Sequence, residues 1–338
     1  MRLLGVHMQN SSELKILTIA IPAYNIEGYI DRAVSSLLDC TCLPLLDIIV
    51  INDGSTDATS EKAALYAERY PKSVRVIDKP NGHYGSAVNS AIEEAKGIYF
   101  KILDGDDEYY SEGLKDLVCY LSTSDYPDMV LTDYEIEFEK TGEVVRYRQE
   151  LVPRKVISFE NANLRPCAMH SITFKTSLLR TMSDRLDVGV SFTDVEFVIF
   201  PLRGVSSVAY CDTLVYSYKI GREGQSVDIS CIDRNMPSHE LVLKHCIDWY
   251  ERNAEGLSLA KRDYVAERIA QMLDDHVHRC LLSERAELWL PGLKEIVERC
   301  ARCQPLMRYS TSSGLRVLRA TRYSVYKILN KIKRHAIK

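Results

Sequence analysis

The sequence predicts an α/β fold: a mostly parallel, twisted sheet with helices on both faces, followed by a C-terminal helical region. Three observations carry this expectation. Short apolar runs alternate with stretches of helical periodicity through the N-terminal third of the 338 residues. The runs end in polar, turn-forming clusters, as strands do when they deliver ligand-binding groups to one rim of a parallel sheet. From about Met236 onward the pattern is nearly all helical.

Ile16-Leu17-Thr18-Ile19-Ala20-Ile21 is a strand that Pro22 is expected to stop. Ile30, Ala33, Val34, Leu37 and Leu38 then recur at helical spacing. A second strand, Ile48-Ile49-Val50-Ile51, ends in Asn52-Asp53-Gly54-Ser55, and Ser55 or Thr56 can cap a helix that runs to about Tyr70. A third strand, Val74-Arg75-Val76-Ile77, leads into Asp78-Lys79-Pro80-Asn81-Gly82. Ala87, Val88, Ala91, Ile92 and Ala95 line one face of the next helix, and Ile98–Leu103 is a fourth strand. Beyond Asp107 the order loosens. A helix is expected over Ser111–Ser124 and a short one over Asp194–Leu202, with strands at Met129–Thr132, Glu143–Val152, Ser171–Phe174 and Val208–Tyr210. Pro237, Pro291 and Pro305 punctuate the helices that follow. The expected division is a domain over residues 1–230, with halves at about 15–110 and 111–230, and a helical region over 231–338.

Hydrophobic residues at 46%, charged residues at 27% and a net charge of −4 describe a globular protein and give no electrostatic case for nucleic acid. No apolar run approaches the roughly 18 residues of a membrane span. Leu3-Leu4-Gly5-Val6 is too short for a secretory signal, so a cytoplasmic location is expected. There the cysteines would stay reduced, mostly as small buried hydrophobes, and Cys300-Ala301-Arg302-Cys303 lacks the second pair that a structural zinc site needs.

The strongest chemical signal is Asp104-Gly105-Asp106-Asp107, directly after the fourth strand. Its like charges repel one another. A hard divalent cation held by one or two carboxylates would offset them and keep positions open for a substrate's phosphates. An acidic turn in water is the alternative. Two other strand ends, Pro22-Ala23-Tyr24-Asn25 and Asp53-Gly54-Ser55-Thr56-Asp57, fall on the same rim of a parallel sheet.

With the Lys79–Asn89 segment, these motifs resemble family-2 glycosyltransferases of the GT-A fold, the polysaccharide- and glycolipid-building type. The family pattern P-x-Y-N, D-G-S-T-D, K-x-x-N-x-G…N and D-x-D-D is present in order across roughly residues 15–110, and a weaker match reaches about residue 228. The resemblance implies that Asp53 accepts a hydrogen bond from the nucleotide base, most often uracil, in a pocket lined by Pro22, Tyr24 and Asn25. It implies Asp104 at the ribose or donor sugar, Lys79 near the nucleotide, and Asp106 on Mn²⁺ or Mg²⁺ bridging the diphosphate. Asp107 receives no role. Asp194, after Ser191-Phe192-Thr193, is implied as the general base of an inverting transfer, with Glu196 as the fallback and an ordinary helix cap as the structural alternative. Thr193 stands where relatives often carry an acid, and Val88 where many carry an Arg. Arg222 or Ser226 would help to hold the diphosphate.

In the tail over residues 315–338, Leu315, Leu318, Val325, Leu329 and Ile332 form an apolar stripe beside Arg316, Arg319, Arg322, Lys327, Lys331, Lys333, Arg334 and Lys338. A basic amphipathic helix of this kind reads as a membrane-surface element, and docking on its own domain is the equal alternative.

The expected function is a metal-dependent, inverting glycosyltransferase. It would move a sugar from a nucleotide diphosphate donor, most often UDP-linked, to a hydroxyl of a cell-surface polysaccharide or glycolipid acceptor, in the cytoplasm or at the inner face of the membrane. Two rivals remain. A nucleotidyltransferase would need a Gly-rich, basic phosphate loop near the N-terminus, which the sequence lacks. Against a catalytically silent nucleotide-sugar-binding subunit stand Asp104, Asp106 and Asp194.

Overall fold

The computed structural model describes residues 14–221, 225 and 229–336. The frame begins with β1 (Leu17–Ala23), α1 (Ile30–Leu38), β2 (Leu46–Asn52), α2 (Thr59–Arg69), β3 (Val74–Asp78), α3 (His83–Glu94) and β4 (Tyr99–Ile102). These strands are parallel: β2 and β4 flank β1, and β3 lies outside β2. Every residue of β2 and β4 is buried, as in a sheet covered by helices on both faces.

Pro22 does not stop β1. The strand runs on to Ala23, pairing Pro22 with Ile51 and Ala23 with Asn52. Backbone groups alternate sides along a strand: Ala20 O accepts from Leu103 on the β4 side, and Ala23 O from Asp53 on the β2 side. Pro22 therefore turns its missing N–H toward β4, which has already ended at Ile102.

The second half is mixed. It comprises β5 (Glu108–Tyr109), α4 (Ser111–Thr123), β6 (Met129–Phe138), β7 (Glu143–Tyr147), β8 (Ile157–Ser158), β9 (Ile172–Lys175), α5 (Thr176–Arg180), α6 (Asp194–Ile199) and β10 (Ser207–Ile220). Together the strands form a 10-stranded sheet in the order β3-β2-β1-β4-β9-β6-β10-β5, with β7 paired to β6 and β8 to β10. α4 lies against β10 so closely that a Cβ at Gly113 would stand 1.8 Å from Leu214 O. Only glycine allows that approach.

Helices α7 (Ile232–Asn253), α8 (Leu259–Leu282), α9 (Ala286–Arg302), α10 (Gln304–Arg308), α11 (Ser313–Ala320) and α12 (Tyr326–His335) follow. Pro237 and Pro291, expected as breaks, lie inside α7 and α9. Each is the sixth residue of its helix, past the N–H groups that lack an intrahelical partner, so each removes one i→i−4 bond from a helix that continues beyond it. The helices share a core with the sheet. One buried cluster runs from Ala20, Ile49 and Phe100 through Phe197 and Leu202 to Trp249, Leu273 and Leu318. A second cluster, around Ile19, Val34, Val50, Leu117 and Tyr216, holds the remaining layer together.

The tail docks on its own domain as two helices rather than one. The break lies at Arg322 and Tyr323, whose φ angles are 49° and 63°. Leu315, Leu318 and Tyr326 are buried, with α11 and α12 packed on α8, and the Tyr326 hydroxyl reaches the carbonyls of Cys280 at 3.1 Å and Ala286 at 2.9 Å. Ile328 and Ile332 remain exposed. No helix among the described residues is long and apolar enough to cross a membrane. Cys40 and Cys42, expected to be reduced, are joined in a disulfide, because the turn after α1 brings their Cα atoms to 5.2 Å, within bridging range.

Tail docking makes a contrast that chemical denaturation can read. Leu318→Ala empties a fully buried site and is expected to cost about 2–5 kcal/mol. Ile332→Ala, at a 59% exposed position, is expected to stay within about 0.5 kcal/mol of the parent. Equal effects would mean that the tail is not packed this way.

Candidate active site

The polar ends of β1, β2 and β4 meet on one rim. A cavity of about 410 Å³ there is lined by Pro22, Tyr24, Asp53, Tyr84, Asp104 and Asp106, among others. Tyr24 is half exposed. Asp53 is buried and accepts hydrogen bonds from Lys79 Nζ at 2.5 Å and from Gly82 N at 3.0 Å. Asn25 and Lys79 stand behind the cavity as braces. Asn25 accepts from Thr56 N at 2.8 Å and donates its N–H to Ser55 Oγ at 3.1 Å, clamping the ends of β1 and β2 together. Its φ of 51° is a conformation that asparagine tolerates better than most residues.

The three aspartates after β4 have different surroundings. Asp107 is fully buried, accepting from Tyr216 OH at 2.8 Å and from Lys219 N at 2.9 Å, and so ties the β4 turn to β10. Burial, with Asp104 and Asp106 nearby, pushes its carboxyl well above the usual carboxylate range. Asp104 accepts from Tyr84 OH at 2.7 Å, and its N–H donates to the Tyr216 hydroxyl at 3.1 Å. Asp106 lines the cavity while its carbonyl accepts from Arg32 Nη2 at 2.5 Å.

His170, in the turn before β9, brings a ring nitrogen within 4.8 Å of carboxylate oxygens of Asp104 and Asp107. Its Nδ1 is buried without a hydrogen-bond partner. Burial, with the Lys101 ammonium nearby, pushes the imidazole down to about 3, which keeps it neutral. Lys101 lies fully buried beneath the rim, donating to the carbonyls of His170 at 2.7 Å and Ile172 at 3.2 Å. Burial pushes this ammonium down to about 7. Asp104 faces the cavity beside a neutral imidazole and Asp106 lines the same cavity, and these are ligand types that Mn²⁺ accepts, so the donor set fits the cation that the motifs imply.

Asp194 is the first residue of α6, preceded by Thr193 at the cap position. Its side chain, 39% exposed, faces a second cavity of about 440 Å³. The two cavities share Tyr84, Asp104 and Tyr218. Burial of its surroundings pushes the Asp194 carboxyl up, opposed by the Arg268 guanidinium at 4.0 Å. Glu196 is instead fully buried and turned toward Asp187 and His245. Phe192 holds a φ of 71° between the Arg279 guanidinium and the His239 ring, each 4.9 Å from its own ring centroid.

Several of these groups escape sequence reasoning. Tyr84 lies inside the Lys79–Asn89 motif and could have been found there. His170 and Tyr216 carry no local signal. His239, Arg268, Gln271, Asp275 and Arg279, from α7 and α8, form the far wall of the second cavity, beyond residue 230, the expected end of the first domain. Asn89 is structural, exchanging hydrogen bonds with the backbone of Leu186 at 2.8 and 3.1 Å. Arg222 and Ser226 lie outside the described residues.

Known proteins resemble this chain in sequence or in fold. A hyaluronan synthase of Pasteurella multocida is 41% identical over 106 residues, 31% of this chain and 11% of that protein, so the match spans about a tenth of the relative. The crystal structure of S. aureus TarS 1-349 in complex with UDP-GlcNAc superposes with a TM-score of 0.68 at 17% identity, covering 95% of this chain and 92% of the other. Mannosyltransferase PcManGT from Pyrobaculum calidifontis, in complex with GDP-Man and Mn²⁺, gives a TM-score of 0.51 at 14% identity, over 96% and 88% of the two chains. The common architecture is the GT-A fold. Asp53, the acid rim and the strands that carry them all fall within residues 18–186, which match the Glycosyl transferase family 2 profile, and the chain belongs to that family.

Proposed function

We propose that the protein transfers a sugar from a nucleotide diphosphate donor, a UDP-sugar in the first instance, to a hydroxyl of a cell-surface polysaccharide or glycolipid, with inversion at the anomeric carbon. The observation that carries this reading is the pair of cavities that meet at Tyr84, Asp104 and Tyr218, one holding Asp53 and the acid rim and the other Asp194. The donor occupies the first, with its base at Asp53 between Pro22 and Tyr24 and its ribose or sugar toward Asp104. UDP-GlcNAc in the similarly folded TarS supports a uridine nucleotide.

Asp106 and Asp104, which line the same cavity, with His170 close to Asp104, would hold Mn²⁺ or Mg²⁺, which when bound supplies Lewis-acid stabilisation of the departing diphosphate. Mn²⁺ with GDP-Man in PcManGT supports this assignment. Arg222 would help to hold the diphosphate, a role that the guanidinium's match to phosphate geometry supports. The acceptor hydroxyl arrives through the second cavity, and Asp194 takes its proton as the oxygen attacks the anomeric carbon opposite the diphosphate. A carboxyl raised above its usual range is a stronger proton acceptor than an ordinary one. The outward face of α12, with Ile328 and Ile332 exposed beside Lys327 and Lys331, supports peripheral attachment to an anionic leaflet in the cytoplasm. Each basic side chain would contribute about 1 kcal/mol there.

UDP release from a panel of UDP-sugars, with and without Mn²⁺ and with hydroxyl acceptors, tests the activity; UDP binding without any turnover would favour a silent subunit. Asp194→Asn is expected to lower kcat by about 10²–10⁴-fold with UDP affinity unchanged, and full turnover in that variant would remove the base assignment. Because Asp194 must be ionised to accept a proton, kcat should rise with pH through a midpoint above the usual carboxylate range. Arg268→Gln, which removes the opposing positive charge, should move that midpoint higher. Asp53→Asn should weaken UDP binding by about 10–100-fold in calorimetric titration, the cost of losing a hydrogen bond to a charged group.

A further inference from the structure

Away from the acid rim, a second cluster of metal-ligand side chains joins the catalytic helix to the C-terminal region. Asp187 comes from the loop before α6, Glu196 from α6 and His245 from α7. One ligand atom from each lies within 4.8 Å of the others. His245 Nδ1 stands 2.7 Å from Asp187 Oδ1 and 3.7 Å from Glu196 Oε1, and the Asp187 N–H donates to Glu196 Oε2 at 2.8 Å.

Two features point to a missing ligand rather than to a simple ion pair. Asp187 Oδ2 and Glu196 Oε1 are both buried without a hydrogen-bond partner. Glu196 is 0% exposed, so its unpartnered oxygen has no access to bulk water. The two carboxylates repel each other, and a divalent cation between them would offset that repulsion and satisfy both orphaned oxygens. The His245 side chain is 50% exposed, which leaves a route from solvent and room for a water ligand.

We propose that Asp187, Glu196 and His245 bind a divalent transition-metal cation, Zn²⁺ being the best fit, as a site separate from the catalytic rim. One imidazole and two carboxylates are a ligand set that Zn²⁺ takes at about 2.0–2.2 Å, whereas Mg²⁺ prefers oxygen ligands throughout. Small side-chain rotations bring the three atoms to that distance from a common centre. The bound ion fastens α7 to α6 two residues beyond Asp194, and so fixes the start of the catalytic helix against the helical region.

The test is zinc titration of the full chain, stripped with chelator, against a chromophoric competitor. The wild type and Asp106→Asn should both retain a tight zinc site, and His245→Ala should weaken it at least tenfold. His245→Gln serves the same purpose if the alanine variant folds poorly. Zinc should raise the Tm of the wild type and leave that of the His245 variants unchanged. Co²⁺ in place of zinc should give visible absorption that the His245 variants lose. Zinc binding of equal strength in wild type and both His245 variants, loss of all zinc binding in Asp106→Asn, or no zinc binding by the wild type would each overturn the proposal. None of these readouts uses transfer activity, so the result is independent of the donor and acceptor assigned above.

Discussion

Three carboxylates within four residues at the end of β4 repel one another, and much of the surrounding structure exists to separate them. Asp107 is drawn inward and bound to Tyr216 and Lys219 of β10. That arrangement requires β10 to be long, and at 14 residues it is the longest strand described. The Tyr216 hydroxyl serves two neighbours at once, accepting from the Asp104 N–H while donating to Asp107. Asp104 is held by Tyr84 from α3, and the Asp106 backbone by Arg32 from α1. Lys101 adds a buried amine below. Elements from both halves of the chain thus converge on one short turn, and the two cavities open on either side of it.

The parts of this arrangement that were legible in the sequence are local ones. Strand, turn and acid motif lie within a few residues of each other at Asp53 and at Asp104, so their shared rim follows from parallel pairing alone. The function of Asp107 depends on a tyrosine 109 residues away, which no local pattern announces. Pro22 was misread because a strand's tolerance for proline depends on where its neighbour stops, here Ile102 of β4. The tail pattern was ambiguous for a different reason. An apolar stripe has the same spacing whether it meets lipid or α8, and the burial of Leu315 and Leu318 decides the matter for that part of it. Arg268, Gln271 and Arg279 occupy α8 as polar positions on an amphipathic helix, indistinguishable in sequence from its solvent face.

Helix α6, which begins at Asp194, is only six residues long and could not stand alone. It depends on what surrounds it. Phe192, in a backbone conformation that costs a bulky residue about 1–3 kcal/mol, is wedged between Arg279 and His239 just before Asp194. Asn89 of α3 fixes Leu186 at the other end of the same loop. Helix α3 and the C-terminal helices therefore grip one loop from opposite directions, and that loop leads into Asp194.

The single buried cluster that unites the sheet with α7 and α8 has a consequence for how such a protein diversifies. The wall of the second cavity is built from helices whose other faces form the common interior, so exchanging the helical region wholesale for that of a relative would tear the interior as well as the cavity. The lining of the second cavity is open instead to single replacements at its polar α8 positions, such as Gln271, which leave the apolar stripe untouched. The acid rim, assembled from other strands, would be left as it is. Under the proposed entry of the acceptor through that cavity, new linkages come within reach by small steps, each of which leaves the shared interior intact.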